Sequence, residues 1–287
     1  MPLPSTRHLA LAQRLREFSF NSEDFQALRA LVKSLTGINL SDQKRELVYG
    51  RLSRRLRALK LSSFHEYRKL LAGNPQELAQ FTNALTTNLT AFFRERHHFE
   101  YVRDEVLRPM AADPCATRRV RIWSAGCSSG EEPYSIAMTV LEAIEDLPRW
   151  DIRILATDLD SDVLARARSG VYSADRVQAL DPAQLERFFT EQRDGAAPTY
   201  QVKPELAALI TFKQLNLMHP LPMKGPLDAI FLRNTVIYFD RDTQRDLFCR
   251  VARLQRSGAT LFLGHSESLF QVSSEYTLIG KTVYRRN

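Results

Sequence analysis

The sequence predicts an α/β protein: a parallel sheet covered by helices, with a small antiparallel insertion, preceded by a small all-helical part. From residue 118 onward, apolar strand-like runs alternate with helical segments, the order that builds a parallel sheet. Before that, apolar residues recur only at three- and four-residue spacing. Residues 172–213 interrupt the alternation with short alternating pieces such as "TYQVK" and a turn signal at Asp194-Gly195. The expected organisation is a helical domain at 1–95, a linker at 96–117, and an α/β domain at 118–287 with its insertion at about 172–213.

Each element has a local cause. Ser22 is placed to cap a first helix, with Glu23 and Asp24 in its first turn and Gly37 at its end. Residues 42–59 carry Leu47, Val48, Leu52, Leu56 and Leu59 at helical spacing. A short helix near 63–72 ends at Gly73, and Asn74-Pro75 opens another, because proline suits a first helical position. The pattern changes near Pro109–Pro114. Strand 119–124, helix 131–145, strand 151–157 and helix 161–169 follow. After the insertion come a strand within "GPLDAIFLRN" (225–234), a helix at 241–255 and a strand at 259–264. "YTLIGKTVYRR" closes the chain as an antiparallel pair.

The 287 residues suffice for a sizeable core, and 44% hydrophobic with 25% charged residues is the balance of a globular protein in water. Cys115, Cys127 and Cys249 show no CxxC pairing, which argues against a disulfide framework or zinc knuckle and fits a reducing, cytoplasmic setting. "MPLPSTRHLALAQRL" has no sustained apolar core, so no signal peptide is expected, and no run approaches the ~18 apolar residues of a membrane span. The net charge of +7 suits an acidic partner, whether nucleic acid, an anionic surface or an acidic protein.

The chemistry concentrates in "RIWSAGCSSGEEPYSIA", 121–137. An apolar run stops in a small-residue turn and opens a helix, the layout that holds nucleotide-like ligands over strand ends. GxGxxG and GKS/GKT are both absent, so this is neither a dinucleotide fingerprint nor a P-loop. Glu131 and Glu132 stand where a pyrophosphate would sit on the helix N-terminus. Like charges 4 Å apart repel by about 4 kcal/mol near a protein surface. A cationic adenosine-containing ligand is favoured instead, and S-adenosylmethionine (SAM) has a sulfonium, an ammonium and no phosphate. Asp158, ending the strand in "DIRILATDLD", is placed to accept from ribose hydroxyls; its alternative role is to cap the helix starting at Ser161.

"NALTTNLTAFFRE" (83–95), "SAGCSSGEEPYSIA" (124–137), "ATDLDSDVLARARSGVY" (156–172), "NL" (216–217) and "FLRNTVIYFD" (231–240) together resemble the chemotaxis receptor glutamate methyltransferases, in order, from about residue 21 to the end. The resemblance implies a helical N-terminal domain, a Rossmann-like methyltransferase sheet and an inserted three-stranded subdomain. It also implies that Asn88, Thr90 and Arg94 contact the cofactor, that Glu132 takes its ammonium and Asp158 its ribose, and that Asn216 and Leu217 flank the adenine. Arg233, Asn234 and Tyr238 would line the reaction centre, with Arg94, Tyr238 and Asp158 as candidate catalytic residues. Departures are slight: Ser129 where threonine is common, and Thr235 where an aliphatic residue is usual. The implied product is S-adenosylhomocysteine (SAH), and no metal is expected. A glutamate nucleophile, with a pKa near 4.3, needs no general base at neutral pH.

"KRELVYGRLSRRLRALK" (44–60) is strongly basic, with Arg51, Arg54 and Arg55 on one helical face. The resemblance implies that this helix docks the acidic, glutamate-bearing cytoplasmic helices of chemoreceptors. Nucleic acid is the rival, but the segment carries a single aromatic, Tyr49, and no interleaved series of aromatics for base stacking. Some members of the family also tether to a receptor C-terminal peptide through a glycine-rich loop of the inserted subdomain; "TEQRDGAAPTYQV" has one glycine and leaves tethering open. The expected protein is a cytoplasmic monomer that neither enters membranes nor binds nucleic acid. Against it stand a SAM-binding signalling or scaffold module without turnover, and a methyltransferase for RNA or another protein. His97-His98, about 100° apart on a helix, are expected at the surface and ill-placed for a metal. "GHSES" (264–268) resembles a nucleophile elbow but lacks its second glycine.

Overall fold

The computed structural model describes residues 17–193, 195 and 197–287. The amino-terminal stretch read above for a signal peptide, and Asp194 of the expected turn, lie outside the described residues. The chain divides into two compact units, Met1–Thr87 and Asn88–Asn287.

The first unit is helical, with α1 (Ser22–Thr36), α2 (Arg45–Leu59), α3 (Phe64–Gly73) and α4 (Pro75–Leu85). The cap of α1 is Asn21 rather than Ser22. Its side chain accepts from Asp24 N, and Asp24 reaches back to Asn21 N, a reciprocal pair that Ser22 has no acid in register to form. Gly37 ends the helix in the left-handed conformation and Pro75 opens α4, as the sequence implies. Val48, Leu52 and Leu56 of α2 are buried, whereas Leu47, expected in the same stripe, is 37% exposed.

The basic face of α2 is largely occupied by the fold. Arg51 donates to the carbonyls of Leu85 and Thr86, closing the C-terminus of α4. Arg55 makes a two-pronged pair with the buried Glu77, which also accepts from Tyr67 Oη at 2.8 Å. That bond to Glu77 raises the Arg55 pKa, and burial followed by the neighbouring Glu77 raises that of Tyr67. Arg54 is exposed and has no side-chain partner among the described residues.

In the second unit, α5 (His97–Tyr101), a π turn (Val102–Leu107) and α6 (Arg108–Ala112) lead into β1 (Arg119–Ala125). Then follow α7 (Glu131–Ala143), β2 (Asp151–Asp158), α8 (Ser161–Ser169), β3 (Val171–Ser173), α9 (Ala174–Val177), α10 (Pro182–Phe188), β4 (Phe189–Gln192) and β5 (Thr199–Val202). The chain continues through α11 (Pro204–Ala207), β6 (Ile210–Gln214), β7 (Leu227–Phe231), α12 (Arg241–Ala252), β8 (Gln255–Phe262), β9 (Tyr276–Gly280) and β10 (Val283–Arg286).

Seven strands form one sheet in the order β6-β2-β1-β7-β8-β10-β9. β6, β2, β1, β7 and β8 pair in parallel, and β10 pairs antiparallel with β8 and β9. The order reverses at β1, with β2 on one side and β7 on the other, so a ligand crevice opens over the C-terminal ends of these three strands. A second sheet, β3-β5-β4, is antiparallel.

Four boundaries differ from expectation. Residues 88–95 belong to the second unit: Phe92 packs edge-on against Tyr172 and Phe189, and Phe93 against Phe99. The stretch expected as a linker, 96–117, is helical through Ala112, and Phe99, Val102 and Leu107 enter the core beneath its charges. The antiparallel insertion ends before Ile210, because β6 pairs with β2 in the main sheet. β8 also starts earlier than expected: its first half, Gln255-Arg256-Ser257, has no apolar alternation, and Gly258 adopts φ 86°.

Candidate functional site

The turn between β1 and α7 is bent by left-handed residues, Gly126 at φ 84°, Ser128 at φ 49° and Gly130 at φ 98°. A Cβ on Gly126 would lie 2.4 Å from Thr235 Oγ1, so this position needs glycine for space as well as conformation. Gly126 N and Cys127 N both donate to Thr157 O, at 2.8 and 2.9 Å. Ser128 N donates to Asp158 Oδ2 at 2.8 Å, and Asp160 N donates to Asp158 Oδ1 at 3.0 Å. Asp158 is 8% exposed; burial raises its pKa against the lowering effect of these N–H donors. The helix cap is Asp160, which accepts from Asp162 N and Val163 N, so Asp158 is not the cap of α8.

The two turn acids have different surroundings. Glu131 is fully buried and pairs with Arg176 of α9 while accepting from Ser129 Oγ at 2.7 Å. It is therefore neutralised, not the bare repulsive charge the sequence suggested. Glu132 accepts from Ser124 Oγ at 2.7 Å and from Arg233 Nη1 at 3.0 Å. Burial nevertheless raises its pKa, outweighing Arg233 and Ser124. Arg233 also lies 3.5 Å from Glu95, donates to Arg94 O and stacks over Phe99. Glu95, Glu132 and Asp158 together outnumber this one buried cation, which leaves the strand ends suited to a positively charged ligand.

The remaining expected residues fall around this crevice in part. Asn88 Nδ2 donates to Asp160 Oδ2 at 2.7 Å, and Ser128 Oγ donates to Asn88 O at 2.9 Å, tying the 88–95 segment to the turn. Arg94 sits between two left-handed residues, Phe93 at φ 49° and Glu95 at φ 59°, and its guanidinium donates to Leu89 O. Thr90 is partly buried, with no side-chain hydrogen bond among the described residues. Leu215 N donates to Asp158 O at 2.9 Å, placing Asn216 and Leu217 just beyond the Asp158 strand end. Asn216 Oδ1 accepts from Met218 N, and Leu217 is 9% exposed. Asn234 is left-handed at φ 54°. Tyr238 ends a 3₁₀ turn, partly buried, with no hydroxyl partner among the described residues. Left-handed non-glycine residues at 93, 95, 128 and 234 gather in the segments that carry these residues, as strained backbone does at functional sites.

Sequence reasoning missed what holds these segments. Glu267, within "GHSES", is 5% exposed and accepts from Gly264 N, Asn234 N, Val236 N and Ile237 N at 2.6–3.2 Å. The motif anchors the 234–238 loop, and among the described residues no helix lies between β8 and β9, so the strand–turn–helix layout of a nucleophile elbow is not formed. The only sequence signal was an acid in a loop otherwise made of small and polar residues.

His98, expected at the surface, is fully buried against Phe262, and burial followed by Arg233 and His97 lowers its pKa to about 3. Glu95, His97 and His98 bring three potential metal-ligand atoms within 4.8 Å. His97 and His98 both turn Nε2 toward Lys281 O, and Arg233 already supplies positive charge beside Glu95. Burial raises the Glu95 pKa, but Arg233 and the His265 hydrogen bonds outweigh it and hold the carboxyl below its usual range.

Residues 88–285 match the family model "CheR methyltransferase, SAM binding domain", and 23–86 match "CheR methyltransferase, all-alpha domain". The chain is 45% identical over 270 residues to chemotaxis protein methyltransferase 2 of Pseudomonas aeruginosa, covering 94% of this chain and 95% of that one. It is 41% identical over 288 residues to the chemotaxis protein methyltransferase of Salmonella typhimurium, covering 98% and 96%. The Escherichia coli chemotaxis protein methyltransferase is also 41% identical, covering 98% of this chain and 97% of its own. With the acidic crevice over a parallel sheet, the glycine-bent turn and both domain models in register, the chain belongs to the CheR methyltransferase family.

Proposed function

We propose that the protein transfers the methyl group of SAM to glutamate side chains of chemoreceptors, forming methyl esters and releasing SAH. The observation that carries this is the presence of two buried carboxylates over the strand ends, Glu132 in the first turn of α7 and bonded to Ser124 of β1, and Asp158 at the end of β2, with Glu95 as a third acid sharing Arg233 with Glu132. Glu132 takes the cofactor ammonium and Asp158 the ribose hydroxyls, with Asn216 and Leu217 beside the adenine. Asn88, Thr90, Arg233 and Asn234 complete the enclosure.

The acceptor glutamate is ionised at neutral pH, so catalysis consists of stripping its water, orienting it and holding it in line with the sulfonium. Arg94 and Tyr238 are proposed to do this, Arg94 through its charge and Tyr238 through its unpartnered hydroxyl. Receptor docking is proposed for the basic face of α2, with Arg54 as the residue open to a partner and Arg51 and Arg55 contributing charge from within the fold. The partner is the acidic cytoplasmic helical region of the receptor, met by a cytoplasmic, monomeric enzyme; a receptor C-terminal peptide at the inserted sheet is a further possible anchor. No described helix is long and apolar enough to cross a membrane.

Incubating the protein with methyl-labelled SAM and receptor-bearing membranes tests the reading. Base-labile label in the receptor is expected. Tight SAH binding with no label in the receptor would overturn glutamate methylation in favour of a module without turnover.

A further inference from the structure

We infer that Arg176 and Tyr172, both from the inserted segment, are positioning residues for the cofactor turn. This rests on the turn at 126–130 holding SAM. The turn takes left-handed conformations at Ser128 and Gly130, and its two cofactor-facing carboxylates flank it: Asp158 is fastened at Ser128 N, and Glu132 lies in the first turn of α7 beyond. Between those two points lie Ser129, Gly130 and Glu131, and the insertion holds all three. Tyr172 Oη donates to Ser129 O at 2.8 Å. Arg176 Nη2 donates to Ser129 Oγ at 3.1 Å and to Glu131 Oε1. A Cβ on Gly130 would meet Tyr172 Oη at 2.8 Å and Ala167 Cβ at 2.9 Å, so the turn is seated tightly under β3 and α8.

The chemistry of the clamp is charge-balanced. The Glu131 side chain is fully buried, and a lone carboxylate there would be costly. Arg176, 34% exposed, supplies the counter-charge from the solvent side, and Ser129 Oγ donates to the second carboxylate oxygen at 2.7 Å. Burial, then the neighbouring Glu131, raises the Tyr172 pKa, so the hydroxyl keeps the proton it donates to Ser129 O. Neither Arg176 nor Tyr172 hydrogen-bonds Glu132 or Asp158. Both act through the backbone and through Glu131, fixing the spacing between the two carboxylates that receive the cofactor.

Binding of SAH by calorimetry, with SAM and receptor kinetics, tests this in Arg176→Ala, Tyr172→Phe, Glu131→Gln and the double variant Glu131→Gln/Arg176→Ala. Wild-type SAH binding checks the cofactor site itself. Arg176→Ala should weaken SAH binding and raise KM for SAM by about tenfold, with kcat at saturating SAM and KM for receptor within about twofold of the parent. Tyr172→Phe, which keeps its ring packing, should weaken SAH binding about threefold. The double variant, with no buried charge left to neutralise, should recover affinity to within about threefold of the parent. SAH affinity unchanged in both Arg176→Ala and Tyr172→Phe overturns the inference. So does a double variant that binds as weakly as Arg176→Ala, since Arg176 would then not be acting through Glu131.

Discussion

Charge reversal on α2 separates docking from stability one residue at a time. Arg55 holds Glu77 through bonds of 3.0 and 2.6 Å, and Tyr67 adds one of 2.8 Å. The Glu77 side chain is 5% exposed and that of Arg55 is 25% exposed. Arg55→Glu removes the counter-charge and sets a second carboxylate beside a buried one. Breaking a buried pair from one side costs about 3–5 kcal/mol. Water reaches the exposed quarter of Arg55 and screens part of the interaction, so about 3 kcal/mol is expected. Arg54 is exposed and has no side-chain partner among the described residues, so Arg54→Glu should change stability by less than about 0.5 kcal/mol. Urea unfolding of each variant reads stability, and methyl transfer against receptor concentration at two salt concentrations reads docking. Arg54→Glu should unfold with the parent, leave SAH affinity alone and raise KM for receptor. The rise should shrink at high salt, where exposed charges are screened beyond about 8–10 Å. A parental unfolding curve for Arg55→Glu would refute the buried-pair reasoning. An unchanged KM for Arg54→Glu at low salt would refute docking through this face.

The cofactor reading predicts that SAH stabilises the protein by about 2.7 kcal/mol at 100 times its dissociation constant and that NAD does not; a larger melting shift with NAD would contradict it. Asp158→Ala should weaken SAH binding by about 1–3 kcal/mol in calorimetry, since the carboxylate serves the ribose and also fastens Ser128 N. Burial raises the Glu132 and Asp158 pKa values, and a bound cation lowers Glu132's, so SAH affinity should fall on acidification, starting above the pH at which an ordinary carboxylate titrates, in calorimetry at stepped pH. His98 has a depressed pKa of about 3, so below about pH 6.5 the unfolded chain takes up a proton that the folded chain does not. Stability should therefore fall by about 1.4 kcal/mol per pH unit from pH 6.5 towards 3, and His98→Gln should flatten that slope in urea melts at stepped pH. Glu267→Gln puts an amide N–H against the backbone donors of the loop that carries both Asn234 and Tyr238, so SAH affinity and kcat should both drop in binding and turnover assays.

Local pattern determined much of this protein. Helical spacing, the Asn74-Pro75 start and Gly37 located the first helices, because capping and periodicity act within a few residues. The β–turn–α stop at Gly126–Gly130 was legible for the same reason, and Glu132 stood out as an acid at the helix start and Asp158 as one at a strand end. What the tertiary structure decided involves partners distant in sequence. Glu131 looked like a second cofactor charge until Arg176, 45 residues on, neutralised it. Arg51 and Arg55 looked like free surface until α4 supplied carbonyls and Glu77. The burial of Glu267 and His98 was not legible locally, since it depends on loops and strands that meet them only once the sheet has closed around β7 and β8. Side-chain charge is written in the sequence, but whether it faces a ligand, a partner or its own counter-ion is set by long-range packing.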